Sequence, residues 1–294
     1  MGNLTKDIKD IINKFSVRPV KSLGQNFLTD EGFILKIADS ALIEKEDLVI
    51  EIGPGTGSMT KELCKRAMRV AAIEIDRHLI PVLEHNLSCM DNITVINRDV
   101  LKSDISAIIA EEKSKCHSTV KSVKVVANLP YYITTPIIMK FLEEEPGVDM
   151  MVFMVQKEVA ERMAAKPGGK DYGALSVAVQ YYSEPELLFN VPPHCFYPQP
   201  GVDSSVVRLV INQTPPVQLI DKELFFKTVK AAFGQRRKTL LNALYNSNYF
   251  MRSKEEIKEI LNMLGIDDND RGEVLSIQQF ACLANELSRK QHIL

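Results

Sequence analysis

The chain contains no Trp, and its 294 residues include only five Cys. Cys64, Cys89, Cys116, Cys195 and Cys282 are scattered and form no C-x-x-C pair. That argues against a structural zinc site or a disulfide frame and for a reducing cytosol; no metal is expected. No apolar stretch reaches the roughly 20 residues that a membrane span needs. The N-terminus mixes charged and apolar residues where a signal peptide would carry an apolar core. A cytoplasmic protein without a membrane partner is expected, and nothing suggests an obligate interface, so a monomer is expected too. The net charge is only −2, so bulk charge does not announce a nucleic-acid binder.

What is present is the 45% apolar and 25% charged mix of a globular protein, long enough for one large domain or two smaller ones. Leu4, Ile8, Ile11, Ile12 and Phe15 fall at helical spacing, and Asp30 can cap a second helix through Ala41. Strands and helices then alternate. Strands are predicted at 48–52, 70–75, 93–96, 123–127 and 149–155, with helices at 58–66, 79–87, 105–113 and one opened by Thr135-Pro136. Apolar strands alternating with helices imply a parallel sheet covered on both faces. After about residue 184 the prolines Pro185, Pro192, Pro193, Pro198 and Pro200 suggest loops, followed by a closing strand at 206–211, expected to be antiparallel. From Asp221 onward the pattern is helical. A boundary in the Thr-Pro-Pro stretch divides the chain into 1–214, an α/β domain with an N-terminal helical extension, and 215–294, a small all-α domain.

The carboxyl ends of the predicted strands carry the chemistry, since ligands of open α/β sheets bind at that edge. After the first lies Glu51-Ile52-Gly53-Pro54-Gly55-Thr56-Gly57. Its G-x-G-x-G spacing differs from the dinucleotide fingerprint, which excludes a nicotinamide dehydrogenase, and no P-loop Lys-Ser/Thr follows. Gly53 and Gly55 would let backbone approach a ligand closely. Glu74 ends the second strand, where a carboxylate can accept both hydroxyls of a ribose. Asp99 follows the third, placed to accept from an adenine amino group. Each feature alone could be a turn, a cap or a solvated end; these three in register with Asn128, at the end of the fourth strand, point to one nucleoside-bearing ligand.

The fourth strand ends in Asn128-Leu129-Pro130-Tyr131. An Asn oxygen and a turn carbonyl can both accept from a planar amine such as that of a nucleobase, and a Tyr ring can stack on the base. Taken alone, the tetrapeptide could equally be a strand-to-helix turn.

Together, Glu51–Gly57, Glu74-Ile75-Asp76, Asp99 and Asn128–Tyr131 resemble the S-adenosylmethionine-dependent methyltransferases, and most closely the ribosomal RNA adenine dimethyltransferases. Lys21-Ser22-Leu23-Gly24-Gln25-Asn26-Phe27-Leu28 is similar to that family's N-terminal motif. Phe196 to Ser204 resembles its F-x-P-x-P-x-V-x-S loop, and Phe233 to Leu240 the helix-start signature of the small-subunit branch. The resemblance runs from about Lys21 to the C-terminus. It implies a Rossmann-like class I methyltransferase sheet with S-adenosylmethionine as cofactor, held by Asn26, Leu28, Gly53, Gly55, Glu74, Asp99 and Asn128. It also implies N6,N6-dimethylation of two adjacent adenosines in the terminal hairpin of 16S rRNA, within the small ribosomal subunit or its precursor.

In that reading, Asn128 and the Pro130 carbonyl would orient the amine, while Tyr131 and Phe196 would wall the extruded base. No His lies in a motif, so no general base is assigned. Lys227, Lys230, Arg236, Arg237 and Lys238 form a segment with no carboxylate between them, expected to meet phosphate. Lys6, Lys9, Lys14, Arg18 and Lys21 form a looser basic run. Two other readings stand beside this one: a large-subunit rRNA adenine methylase of the macrolide-resistance type, and a ribosome-assembly factor that keeps the fold without needing catalysis.

Overall fold

The computed structural model describes residues 10–11, 14–15, 17, 19–20, 23–235 and 237–289. Most of the predicted N-terminal helix, four of the five residues of the N-terminal basic run, and Arg236 lie outside them. By packing, the described chain divides into two compact units. The first runs up to Ala160 and includes Pro185–Ile211; the second comprises Glu161–Glu184 and the chain from Asn212 onward. The sequence reading cut the chain once. Packing also places 161–184 with the C-terminal helices.

The first unit is built on a seven-stranded sheet in the order β4-β3-β2-β5-β6-β9-β7. Its strands are β2 (Leu48–Ile52), β3 (Arg69–Glu74), β4 (Ile93–Asn97), β5 (Val123–Asn128), β6 (Met150–Gln156), β7 (Ser183–Val191) and β9 (Ser204–Ile211). The first five pair in parallel, and β9 runs antiparallel to β6 from Met150↔Val210 to Gln156↔Ser204. This is the mostly parallel α/β sheet with an antiparallel strand that the pattern implied. β2 and β5 are buried along almost their whole length, as strands covered on both faces must be. β7, taken from its prolines for loop, is an edge strand. Pro185 costs no ladder hydrogen bond when its missing N–H would face outward, so an edge tolerates it.

The covering helices are α1 (Glu31–Ser40), α2 (Ser58–Arg66), α3 (Ile80–Asn86), α4 (Ile105–Ser114) and α5 (Thr134–Glu144). Asp30 caps α1, accepting from Phe33 N at 3.1 Å. α5 starts otherwise than expected. Its cap position is Ile133, without a side-chain bond, and Thr134 turns its hydroxyl back to the Pro130 carbonyl at 3.0 Å. A short ribbon pairs β1 (Phe27–Leu28) with β8 (Phe196–Tyr197), Leu28 opposite Phe196.

α6 (Lys157–Ala164) follows β6. In the second unit, α7 (Ala174–Tyr182), α8 (Lys222–Gly234), α9 (Leu240–Tyr245), α10 (Lys254–Met263) and α11 (Ile277–Arg289) pack together. Asp221, Thr239 and Ser253 cap α8, α9 and α10, and Ser253 with Glu256 completes a reciprocal capping box. Tyr181, Tyr182, Phe225 and Phe226 form an aromatic cluster with centroids 4.9–5.7 Å apart.

The end of the sheet remote from the site is held by a buried ion pair. Lys124 Nζ lies 2.7 Å from Asp47 Oδ2 and also donates to the Leu42 carbonyl. Asp47 also accepts from Glu44 N. Removing one partner leaves a buried charge without its counter-charge, which costs about 3–5 kcal/mol. Asp47→Ala should therefore lower the denaturant midpoint for unfolding by an amount of that order, while leaving cofactor affinity in the folded protein unchanged. A loss below ~1 kcal/mol would show the pair to be no more than a surface contact.

Candidate active site

β2, β3 and β4 are added in one direction across the sheet, and β5 and β6 lie on the other side of β2. The crevice beyond the carboxyl ends of β2 and β5 is therefore the topological switch point where α/β ligands bind. A cleft of about 1110 Å³, partly open to solvent, lies there. All seven residues expected to hold the cofactor line it: Asn26, Leu28, Gly53, Gly55, Glu74, Asp99 and Asn128. Pro130 and Tyr131 line it as well.

The glycine turn forms the floor. Gly53 and Gly55 have φ of +66° and +61°, a region that L side chains rarely adopt. A Cβ on Gly55 would also meet the Phe27 ring at 3.0 Å. Any side chain there would both strain the turn and press on the segment that roofs the cleft.

Two carboxyl groups lie deep in the wall. Glu74 accepts from Asp76 N at 2.8 Å and from Gly55 N at 3.3 Å. Burial pushes its pKa up to about 7; the two backbone donors oppose the rise and the Asp76 charge adds to it. Glu51 is fully buried, and neither of its oxygens has a hydrogen-bond partner among the described residues. Burial raises it to about 8; the Thr60 hydroxyl nearby opposes the rise, although its geometry falls short of a hydrogen bond, and the Glu74 charge adds to it. Asp99 uses Oδ1 to cap its own 3-10 turn, accepting from Leu101 N at 3.0 Å. Its second oxygen lies 3.9 Å from the Lys102 amine, itself well exposed.

The Asn128 turn is organised by the roof. Asn128 Nδ2 donates to the Asn26 carbonyl at 3.0 Å. A carbonyl can only accept, so this bond fixes which end of the amide faces the roof. Oδ1 then points elsewhere, and no donor meets it among the described residues. The Pro130 carbonyl, expected to take a substrate amine, is engaged instead. It accepts from Ile133 N at 3.2 Å and Thr134 Oγ1 at 3.0 Å, which fills both lone pairs. Leu129, the preceding residue, lines the same cleft, and its carbonyl accepts no hydrogen bond among the described residues. Of the two turn carbonyls, that of Leu129 is therefore the one left without a donor, a distinction that depends on how the turn folds and that spacing could not supply.

Tyr131 is half-buried, and its hydroxyl bonds Ser204 Oγ at 2.8 Å, which ties the ring to β9. Phe196 is not part of the cleft wall. It is 5% exposed and packs in the core with Leu28, Ile34 and Val206. Its place opposite Leu28 in the β1–β8 ribbon turns the ring inward, so its part is to hold the roof. Tyr132, which the sequence reading passed over, is 57% exposed and lines the cleft beside Tyr131; an aromatic directly after the turn was its only signal.

In the second unit, Lys230, Arg237 and Lys238 are exposed. Lys227 is paired with Glu223 one helical turn earlier, at 2.6 Å, so its charge is partly neutralised. Lys14, from the N-terminal run, lies 3.1 Å from His85 Nε2. Among the described residues no cluster of His, Cys, Asp or Glu could hold a metal, and no helix is long and apolar enough to cross a membrane.

The unpaired Glu51 gives a pH prediction. A buried carboxyl with a raised pKa binds its proton more tightly folded than unfolded. Its penalty is therefore absent below the unfolded pKa, grows as pH rises from there towards about 8, and levels off above it. The melting temperature of Glu51→Gln relative to wild type should rise from pH 5 to pH 9. A difference that is constant across that range would mean the carboxyl is solvated.

Comparisons bear on the whole chain. The family model for ribosomal RNA adenine dimethylase matches residues 17–289. A protein of Alkaliphilus metalliredigens (strain QYMF) named ribosomal RNA small subunit methyltransferase A is 52% identical over 283 residues, covering 96% of each chain. One of the same name from Clostridioides difficile (strain 630) is 51% identical over 282 residues, 96% of this chain and 95% of that one. The structure of a dimethyladenosine transferase from Plasmodium falciparum superposes with a TM-score of 0.75 at 27% identity, covering 90% of this chain and 98% of that one. The 23S rRNA methyltransferase ErmE gives a TM-score of 0.66 at 26% identity, covering 90% and 100%. With its glycine turn, strand-end carboxylates and Asn128 turn assembled on one cleft, the chain belongs to the ribosomal RNA adenine dimethylase family.

Proposed function

We propose that this chain transfers methyl groups from S-adenosylmethionine to N6 of two adjacent adenosines in the terminal hairpin of 16S rRNA, giving N6,N6-dimethyladenosine, as a cytoplasmic monomer acting on the small subunit or its precursor. The observation that carries the reading is the orientation of Asn128. Its amide nitrogen is committed to the Asn26 carbonyl, leaving Oδ1 and the Leu129 carbonyl as two unsatisfied acceptors on one cleft. A primary aromatic amine presents two N–H donors, which match that pair.

The cofactor fits the residues present. Gly53 and Gly55 allow close backbone approach, Glu74 can accept from a diol, and Asp99 Oδ2 can accept from an exocyclic amine. The buried Glu51 carboxyl, without a partner, suits a cationic ligand. When bound, S-adenosylmethionine supplies a methyl group already activated by a sulfonium, so the protein need not generate an electrophile.

The difficulty lies with N6, whose lone pair is delocalised into the ring. Two N–H bonds, to Asn128 Oδ1 and Leu129 O, favour a pyramidal nitrogen and aim its lone pair. This is orientation and electrostatic preorganisation, not proton abstraction. Formation of the N–C bond at the expense of the methyl–sulfur bond, which would leave a neutral thioether, would make N6 a cation with an acidic N–H, whose proton would leave to water. Tyr131, fixed through Ser204, offers a stacking face worth about 1–3 kcal/mol to an extruded base. Arg236, Arg237, Lys230 and Lys238, with a lesser part for Lys227, are assigned to phosphate, while RNA shape supplies selectivity.

The small-subunit target is favoured over the large-subunit one by the names and the identity of the curated relatives, twice that to ErmE. Mapping methylated adenosines in rRNA from cells lacking the protein tests this directly. Loss of dimethyladenosine from 16S rRNA is expected; loss from 23S rRNA alone would transfer the activity to the other subunit.

Three further outcomes follow. Asn128→Ala should keep cofactor affinity within about tenfold while lowering single-turnover methyl transfer by about 10²–10³; turnover near the wild-type rate would remove Asn128 from the chemistry. Because Glu74 titrates near pH 7 and accepts as the carboxylate, cofactor affinity should weaken as pH falls through about 7. Glu74→Gln should flatten that calorimetric profile, and an unaltered slope would point to another group. Arg236→Ala with Arg237→Ala should weaken rRNA binding and reduce the slope of log affinity against log salt by about 2, whereas an unchanged salt titration would exclude them as phosphate contacts.

A further inference from the structure

The roof over the cleft is tied down at one point that the proposed chemistry does not use. Gln25 bridges two directions at once. Its Oε1 accepts from Val20 N at 2.8 Å, closing the segment on itself. Its Nε2 donates to Asp76 Oδ2 at 2.8 Å, across 51 residues of sequence, at the carboxyl end of β3. Asp76 is nearly buried, and its other oxygen accepts from His78 N at 3.0 Å. Asp76 N in turn donates to Glu74 Oε1. The residue directly after Gln25 is Asn26, whose carbonyl holds the Asn128 amide. Hydrogen bonds and short stretches of backbone thus link the carboxylate placed for the cofactor ribose to the amide placed for the acceptor amine; Phe27 packs on Leu79 and Val82, but Gln25 is the only side chain that hydrogen-bonds the roof to the β3 side of this path among the described residues.

We propose that Gln25 is a positioning residue for methyl transfer: its bond to Asp76 sets the height and register of the Asn26 carbonyl, and through it the aim of Asn128 Oδ1. The proposal rests on the reading of Asn128 given above. Gln25 does not meet the reacting atoms. Phe27 and Leu28 are held independently by the β1–β8 ribbon, so the roof's far end stays in place when Gln25 is lost. The stretch that loses its tether is the one containing Asn26. Loss of Gln25 should therefore be felt in the rate of transfer far more than in cofactor affinity.

The test exploits the direction of the bond. In Gln25→Glu, a carboxylate faces the Asp76 carboxylate at the same short distance, so donor is lost and repulsion gained. Adding Asp76→Asn restores a bond of reversed direction: the new carboxylate accepts from the new amide while still accepting from Val20 N, and the new amide oxygen still accepts from His78 N. Single-turnover transfer at saturating S-adenosylmethionine and small-subunit RNA should fall about tenfold for Gln25→Ala and at least 30-fold for Gln25→Glu. The double variant should return to within about threefold of wild type. Cofactor affinity by calorimetry should stay within about threefold for Gln25→Ala. A double variant no faster than Gln25→Glu alone, or Gln25→Ala with an unchanged rate, overturns the proposal.

Hydrogen exchange of residues 20–28 supplies a readout that needs no catalysis. Exchange should quicken in Gln25→Ala and recover in the double variant; protection that does not move with the pair would likewise overturn the tether. If wild-type protein fails to methylate small-subunit RNA, the functional reading falls while the exchange experiment still judges the tether. If wild type is active and the double variant is not rescued, only the tether falls.

Discussion

One hydrogen bond sets the chemistry of the cleft, from Asn128 Nδ2 to the Asn26 carbonyl. An amide side chain has a donating and an accepting end of nearly the same shape, and nothing in its covalent structure decides which end faces a ligand. A backbone carbonyl at 3.0 Å decides it. Once the nitrogen is spent on the roof, the oxygen is what the cleft presents, beside a Leu129 carbonyl that no donor satisfies. Acceptors in a cleft that no protein donor meets are free for a ligand, and two of them in one turn suit an amine that brings N–H groups.

The rest of the first unit serves to hold those two acceptors against the cofactor residues. Parallel pairing of β2 with β3 and β5, in register from Leu48 to Ile52, brings Gly53, Glu74 and Asn128 to one edge. The electrostatics agree with that placement. The burial that takes these two carboxyls out of water raises Glu51 and Glu74 well above ordinary carboxyl values. Groups held near neutrality in isolation are stabilised as anions by a cation arriving beside them, which is what a sulfonium cofactor with an ammonium group provides. Single contacts fix the two aromatic residues: Tyr131, in the wall, on Ser204, and Phe196, in the core, under the roof opposite Leu28.

Much of this was legible in the chain because it depends on local pattern. Apolar strands with period-appropriate helices between them dictate the order of elements, and that order alone places the four strand-end residues at one edge. What escaped was decided by tertiary context. β7 carries Pro185 and exposed side chains, and only its position at the sheet edge makes it a strand. Pro130 and Leu129 are adjacent and equally capable of accepting; the turn into α5 fills one carbonyl and leaves the other. Phe196 sits in a proline-punctuated stretch that spacing cannot orient, and pairing with β1 turns it into the core. Gln25 gave no signal by itself, since its partner is 51 residues away. The helices of 161–184 pack with the C-terminal unit, a non-local choice that a single boundary in the Thr-Pro-Pro stretch could not express.

The most direct measurement is a structure of the protein bound to a small-subunit RNA hairpin and a non-reactive cofactor analogue. The target adenine should be extruded, with N6 within hydrogen-bonding distance of both Asn128 Oδ1 and the Leu129 carbonyl, Nδ2 still on the Asn26 carbonyl, and the lone pair in line with the sulfur position. A complex in which N6 meets the Asn128 nitrogen, or lies away from both acceptors with the cofactor in place, would contradict the account.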